Sequence, residues 1–200
     1  MPPKRQTRQK RPTKCDPPRP LEAKTRQGSS LRPGHGARSL RSVLTVGTVA
    51  PDIDAETSLG VRFRLSDGQS RLCTVLYFFP KAFTPGCTKE TALFRDNYAE
   101  LRLARAELVG ISTDDHATQC KFAESLKAPF PMIGDSNGAI AKAYDVTWPL
   151  LPYAKRVTYV ISPERVVVGA FHHEIAVAEH RNDVLGLVDD LYRRKHASAK

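Results

Sequence analysis

No apolar run in these 200 residues approaches the roughly 18 that a membrane-spanning helix needs. The first residues also lack the apolar stretch of a secretory signal. Cysteine is scarce. The four, at 15, 73, 87 and 120, are too few and too unevenly spaced for the disulfide framework of a small secreted protein. No internal repeat is visible, so a solenoid or array is not expected. These absences point to a soluble chain in a reducing compartment, cytoplasmic or, for a eukaryotic source, also nuclear. There a cysteine is catalytic, metal-binding or simply buried.

What the sequence has in excess is positive charge, and it sits at one end. Residues 1–42 hold twelve Lys or Arg against Asp16 and Glu22, which accounts for the whole net charge of +10. Residues 43–200 are neutral, so the high pI says nothing about the partners of that part. The same 42 residues contain seven of the fifteen prolines and almost no large apolar side chain. Such a segment cannot bury enough surface to offset its ordering entropy, and we expect a disordered basic tail followed by one domain over 43–200. The early prolines spoil the amphipathic helix of a transit peptide. Lys4-Arg5 and Lys10-Arg11 are compatible with nuclear import or weak, salt-sensitive nucleic-acid contact. The tail has no aromatic residue for base stacking, and a plain solvated extension accounts for it somewhat better.

Order is expected from about Leu44. The alternation in Val61–Leu65 reads as a half-buried strand, with Ser66-Asp67-Gly68 as the turn after it. Leu72–Phe79, closed by Pro80, reads as a central strand buried on both faces. The pattern then predicts a helix over about 87–106, a strand at 108–111 and a helix over about 116–126. Residues 156–161 and 165–170 flank Ser162-Pro163-Glu164 as an antiparallel hairpin, and an amphipathic helix over about 177–194 closes the chain. Strand and helix alternate, which argues for right-handed crossovers and an α/β fold with a mixed central sheet flanked by helices. A thioredoxin-like arrangement is the simplest fit.

The segment Tyr77–Glu90, YFFPKAFTPGCTKE, puts Cys87 at the junction of a buried strand and a helix. Open α/β sheets react at the carboxyl ends of their strands. A helix N-terminus offers unpaired N–H groups and positive partial charge, which stabilise a thiolate. Pro80 and Pro85 stiffen the approach, Gly86 lets the backbone turn closely, and Thr84 aims a hydroxyl into the same loop.

Pro80, Thr84 and Cys87 match the PxxxTxxC signature of peroxiredoxins. TPGCTKE with Phe94-Arg95-Asp96 resembles the Q, or bacterioferritin comigratory, subfamily. Further matches run in order from Ala50-Pro51-Asp52 through Gly110-Ile111-Ser112, Asp114, Phe130-Pro131, Asp135 and Ala143-Tyr144 to the RVTYVI strand, so the resemblance spans about 44–191. It implies a peroxidase acting on hydrogen peroxide and organic hydroperoxides, recycled by a thioredoxin-like donor, with neither metal nor organic cofactor. Cys87 resembles the peroxidatic cysteine and Thr84 the hydroxyl that positions the peroxide. Arg156 matches the family's active-site arginine, Glu90 the acid that orients it, and Pro80 the residue that shields the thiolate. The resemblance leaves open whether the chain is a monomer or a homodimer.

The chain departs from the pattern at Ala92, where many relatives carry a resolving cysteine five residues after the peroxidatic one. Cys120 lies eight residues past Ser112, as Cys87 lies eight past Phe79, near the same sheet edge. Some relatives place the resolving thiol in that second helix. Either Cys120 resolves, or the enzyme works with one cysteine and an external thiol. Cys73 reads as a packed apolar residue, and Cys15 sits in the tail. His172-His173-Glu174 with His180 read as a solvated loop, so no metal is assigned, and Trp148 and Tyr153 read as core or interface residues. Two rivals remain. A disulfide oxidoreductase is weakened because Cys87 belongs to no C-x-x-C pair. A redox sensor or chromatin-associated module would use Cys87 oxidation as a signal.

Overall fold

The computed structural model describes residues 43–172 and 177–197; the basic tail with Cys15, and His173 and Glu174, lie outside them. The chain order is β1 (Asp54–Glu56), β2 (Arg62–Arg64), a 3-10 helix (Leu65–Ser70), β3 (Cys73–Phe78), α1 (Pro85–Asp96), α2 (Tyr98–Leu103) and β4 (Ala106–Ser112). It continues through α3 (His116–Ser125), β5 (Met132–Gly134), α4 (Ala139–Ala143), β6 (Val157–Ile161), β7 (Val167–His172) and α5 (Val177–Ala197). The main sheet has the order β5-β4-β3-β6-β7, and β1 pairs with β2 in a separate hairpin. β3 runs parallel to β4 and β4 to β5, while β6 is antiparallel to both β3 and β7. This is the mixed thioredoxin-like sheet that the strand–helix alternation implies.

All six residues of β3 are buried. Alternate side chains serve two cores, because successive residues of a strand point to opposite faces. Val75, Tyr77 and Phe79 join Phe94 of α1, Leu101 of α2, Phe122 of α3 and Val184 and Val188 of α5. Leu76 and Phe78 join Phe63, Val109, Ile111, Tyr144, Val157 and Tyr159 on the other face. Cys73 lies on the α1 side, where burial pushes its thiol up to about 12. It packs as an apolar residue.

The single helix expected over 87–106 is two. Asn97 donates its side-chain amide to the Leu93 carbonyl at 2.7 Å. This local bond competes with helix propagation, and the chain restarts as α2. Phe94 and Leu101 are nonetheless both fully buried. The second hairpin strand begins at Val167, because Arg165 adopts a left-handed turn conformation and its N–H bonds Ser162. The expected turn at 66–68 is the 3-10 helix, and β5, three residues long, is too short for any periodicity to announce.

Two histidine and aromatic assignments need correction. His180 is not in a solvated loop: it lies in α5, fully buried, with Nε2 2.5 Å from the Thr158 hydroxyl of β6. Trp148 is not a core residue; it is 37% exposed, with the Lys155 ammonium over its ring.

Gly110 of β4 pairs with Tyr77 of β3, and a Cβ there would lie 2.6 Å from the tyrosine ring. Gly110→Ala should therefore cost about 1–3 kcal/mol of stability by overpacking. Urea unfolding of the two proteins measures it.

Candidate active site

β3 runs out at Phe78, and Phe79 keeps the chain in the sheet by donating its N–H to the Ile111 carbonyl. Pro80 follows, half-buried, as the first residue of a short loop. Asp114, just past β4, holds this loop. Its Oδ2 accepts from the Ala82 N–H at 2.7 Å and from the Ser112 hydroxyl at 2.8 Å. Phe83 takes a left-handed φ of 62°, a conformation that costs on the order of 1 kcal/mol for a bulky residue. Its ring leans on Phe122 of α3 at 5.1 Å. The strained loop is thus pinned from both β4 and α3.

Thr84 is the N-cap of α1, yet its hydroxyl does not cap the helix. It donates back to the Lys81 carbonyl at 3.0 Å. With its proton so engaged, Oγ1 presents only lone pairs to the space above the helix start. Pro85 has no N–H, and the Thr88 N–H closes the first turn on the Thr84 carbonyl. The N–H groups of Gly86 and Cys87 have no acceptor within the helix. Two donors and one acceptor therefore border Cys87, which is 1% exposed in this first turn.

Arg156 approaches from the antiparallel neighbour, one residue before β6. It is 5% exposed, with Nη2 3.4 Å from Cys87 Sγ and Nη1 hydrogen-bonded to the Glu90 carboxylate. Glu90, three residues after Cys87, occupies the same helix face and is buried too. Burial by itself would lower the guanidinium pKa; Glu90 and the Cys87 sulfur outweigh it and the net direction is upward. The cation is permanent. A fixed guanidinium, two backbone donors and a hydroxyl acceptor around one sulfur offer matched partners to a small molecule carrying both a proton and an oxygen lone pair.

A family model described as AhpC/TSA matches residues 46–170. The chain belongs to the AhpC/TSA family. Within it, the chloroplastic peroxiredoxin Q of Triticum aestivum is 32% identical over 146 residues, 72% of this chain and 67% of the relative. Peroxidoxin BcpB from Mycobacterium tuberculosis shares the fold with a TM-score of 0.68 at 36% identity, over 72% of this chain and 96% of that one. For Xanthomonas campestris peroxiredoxin Q the TM-score is 0.64 at 29% identity, over 70% and 91%. This peroxiredoxin is a thiol-dependent peroxidase of the Q type.

The peroxiredoxin fold brings Cys87, Glu90 and Arg156 into contact and sets Thr84 at the N-cap beside them; Pro80 stands at the other end of the same loop. Cys120 lies apart from that cluster in α3, 3% exposed, against His116 Nε2 at 3.5 Å. Cys73, Cys87 and Cys120 are all free thiols. Three features escape a reading of the sequence. Asp114 clasps the loop, and nothing in its spacing from Ala82 signals that. The Tyr77 hydroxyl lies 3.3 Å from Thr91 beneath the ion pair, on a strand otherwise read as apolar. Gly86 has an ordinary negative φ, and its reason is steric: a Cβ would stand 3.2 Å from Arg156 Nη2.

Gly86→Ala should accordingly move the guanidinium off the sulfur while favouring the helix. We expect Cys87 alkylation by iodoacetamide and peroxide turnover at neutral pH to fall roughly tenfold, about 1.4 kcal/mol of barrier. Thermal stability should be held or slightly raised. Unchanged alkylation and turnover would show that Arg156 does not need this closeness.

Proposed function

We propose that Cys87 is the peroxidatic residue and that the groups around it divide the work of cleaving the O–O bond. The thiolate attacks one peroxide oxygen in line with the bond, and a sulfur–oxygen bond forms as the oxygen–oxygen bond breaks. The products are a sulfenic acid on Cys87 and water or an alcohol, the leaving oxygen taking a proton. Thr84 Oγ1 accepts the hydrogen bond of the peroxide OH, since its own proton is held by Lys81. The Gly86 and Cys87 N–H groups and Arg156 donate to the oxygens as negative charge develops there. Glu90 holds the guanidinium in place, and Pro80 closes one side of the loop. The observation that carries this reading is Arg156 Nη2 at 3.4 Å from a sulfur in the first turn of a helix.

The bacterioferritin comigratory protein of Xanthomonas campestris, 28% identical with a TM-score of 0.66 over 76% of this chain and 99% of that one, has alkyl peroxide reduction activity. It supports organic hydroperoxides alongside hydrogen peroxide as substrates here. Cys120 is proposed as the resolving thiol and a thioredoxin-like dithiol as the reductant, with the cytoplasm as the setting. A disulfide requires Cα atoms within about 7 Å, and the proposal has the starts of α1 and α3 open locally so that the two buried thiols meet. Such opening also protects the sulfenic acid from over-oxidation by trapping it early. The sensor reading is less favoured, because a complete peroxide cradle surrounds Cys87.

Cys87→Ser should abolish NADPH-linked peroxide turnover with thioredoxin while the melting profile is kept. Retained turnover in the folded variant would refute the central assignment. Peptide mapping of the peroxide-treated wild type should recover a Cys87–Cys120 linkage, absent in Cys120→Ser. Normal cycling of Cys120→Ser would instead make this a one-cysteine enzyme.

The family match begins at residue 46, beyond the basic segment. We therefore propose 1–42 as a separate unit that contributes nothing to peroxide chemistry. Deleting it should leave kcat/KM unchanged and remove any DNA affinity, which in the full chain should fall steeply with salt. Loss of activity on deletion would overturn the division.

A further inference from the structure

We propose that His116 is the base that takes the proton from Cys120 during resolution, an inference that rests on the resolving role given to Cys120 above. The two residues are four apart on α3, which puts them on one helix face, and Nε2 stands 3.5 Å from Sγ. The thiolate, not the thiol, attacks a sulfenic sulfur. Burial of a thiol disfavours that thiolate, and Cys120 is 3% exposed. Cys87 meets the same difficulty with a permanent cation and a place in the first turn of its helix. Cys120 is the fifth residue of α3, beyond the reach of the N-terminal dipole. What it has is an imidazole in contact, itself only partly buried, from which a proton can pass on to water.

Charged groups face His116 from several elements. On its own helix, the Asp115 carboxylate caps Thr118 N–H at 2.7 Å, with Lys121 among its neighbours. The preceding turn carries Asp114, bound to Ala82 N–H and the Ser112 hydroxyl. β5 sets Gly134 against the start of the helix, and the peroxidatic loop offers the Phe83 ring, its Lys81 ammonium lying over Tyr153. From α1, Arg95 bonds the Leu126 carbonyl at the far end of α3.

The step balances without a further reactant. His116 Nε2 accepts the Cys120 proton, and the sulfur attacks the Cys87 sulfenic sulfur. The S–S bond forms as the S–O bond breaks. The departing hydroxide takes up the proton that His116 releases, and the products are one disulfide and one water. Cys87 is thereby reduced from sulfenic acid to disulfide as Cys120 is oxidised.

The test is single-turnover stopped flow on the full chain after one equivalent of hydrogen peroxide, with disulfide formation followed by rapid quench and mass. His116→Asn and His116→Ala should each slow the Cys87–Cys120 step on the order of 100-fold at pH 7, the usual worth of a positioned base. The deficit should shrink as pH rises to 9, where hydroxide replaces the base, and added imidazole should restore His116→Ala. The preceding oxidation of Cys87 is the internal control for a folded site. A deficit that is equal at every pH and insensitive to imidazole, or no deficit, overturns the role of His116 while leaving resolution by Cys120 intact. If Cys120→Ser resolves as the wild type does, the underlying reading fails instead, independently of His116.

Discussion

The buried ion pair between Arg156 and Glu90 is the constraint around which the active site is built. Two charges taken out of water cost several kcal/mol each, and their attraction repays that only with good geometry and further hydrogen bonds. The fold supplies the geometry by fixing each partner on a regular element. Glu90 is one turn from Cys87 on α1, and Arg156 leads into β6, the antiparallel neighbour of β3. One nitrogen of the guanidinium is held by the carboxylate, and the other faces the sulfur. A lysine could not divide itself so, because its ammonium is a point charge without the planar fork. The glycine at 86 follows from this arrangement, as do the tight helix start and the near-complete burial of Cys87.

Burial and reactivity pull against each other at Cys87, and the surrounding loop reconciles them. A sheltered sulfur is kept from adventitious reaction, and its electrostatic partners act at low dielectric where they count for more. In the proposed cycle it must nevertheless admit a peroxide and later meet a second thiol. The loop from Pro80 to Thr84 is strained at Phe83, clasped by one carboxylate and leaned on one ring. Few contacts of this kind need to yield for the helix start to open, whereas β3 beneath it is buried along its whole length. Local opening at a helix end costs far less than opening a central strand.

The two cysteines of the proposed cycle sit in different electrostatic settings, and the difference suits their tasks. In that cycle Cys87 is the sulfur that attacks the peroxide, and it faces a cation that never titrates. Cys120 needs to ionise only when a sulfenic acid is at hand.

Much of this was legible in the residues. The apolar, β-branched and aromatic run of β3, the alternation around β6 and the amphipathic closing helix depend on local periodicity, which burial on a sheet or helix face imposes directly. Cys87, Thr84 and Glu90 are near one another in the chain, so the helix that carries them is enough to put them together. Local pattern stopped short where one side chain outbid it, as Asn97 did by splitting α1 from α2, or where an element such as β5 was too brief to show a period. The contacts that join distant segments were beyond its reach: the 66-residue span between Glu90 and Arg156, Asp114 reaching Ala82, and His180 drawn from a supposed loop onto Thr158. By itself, then, the sequence determined most of the strands and helices and the place of Cys87 at a strand–helix junction, because those follow from neighbours along the chain. Only the tertiary structure decided which charge meets which, because sheet order and strand direction set those distances and neither is written in local spacing.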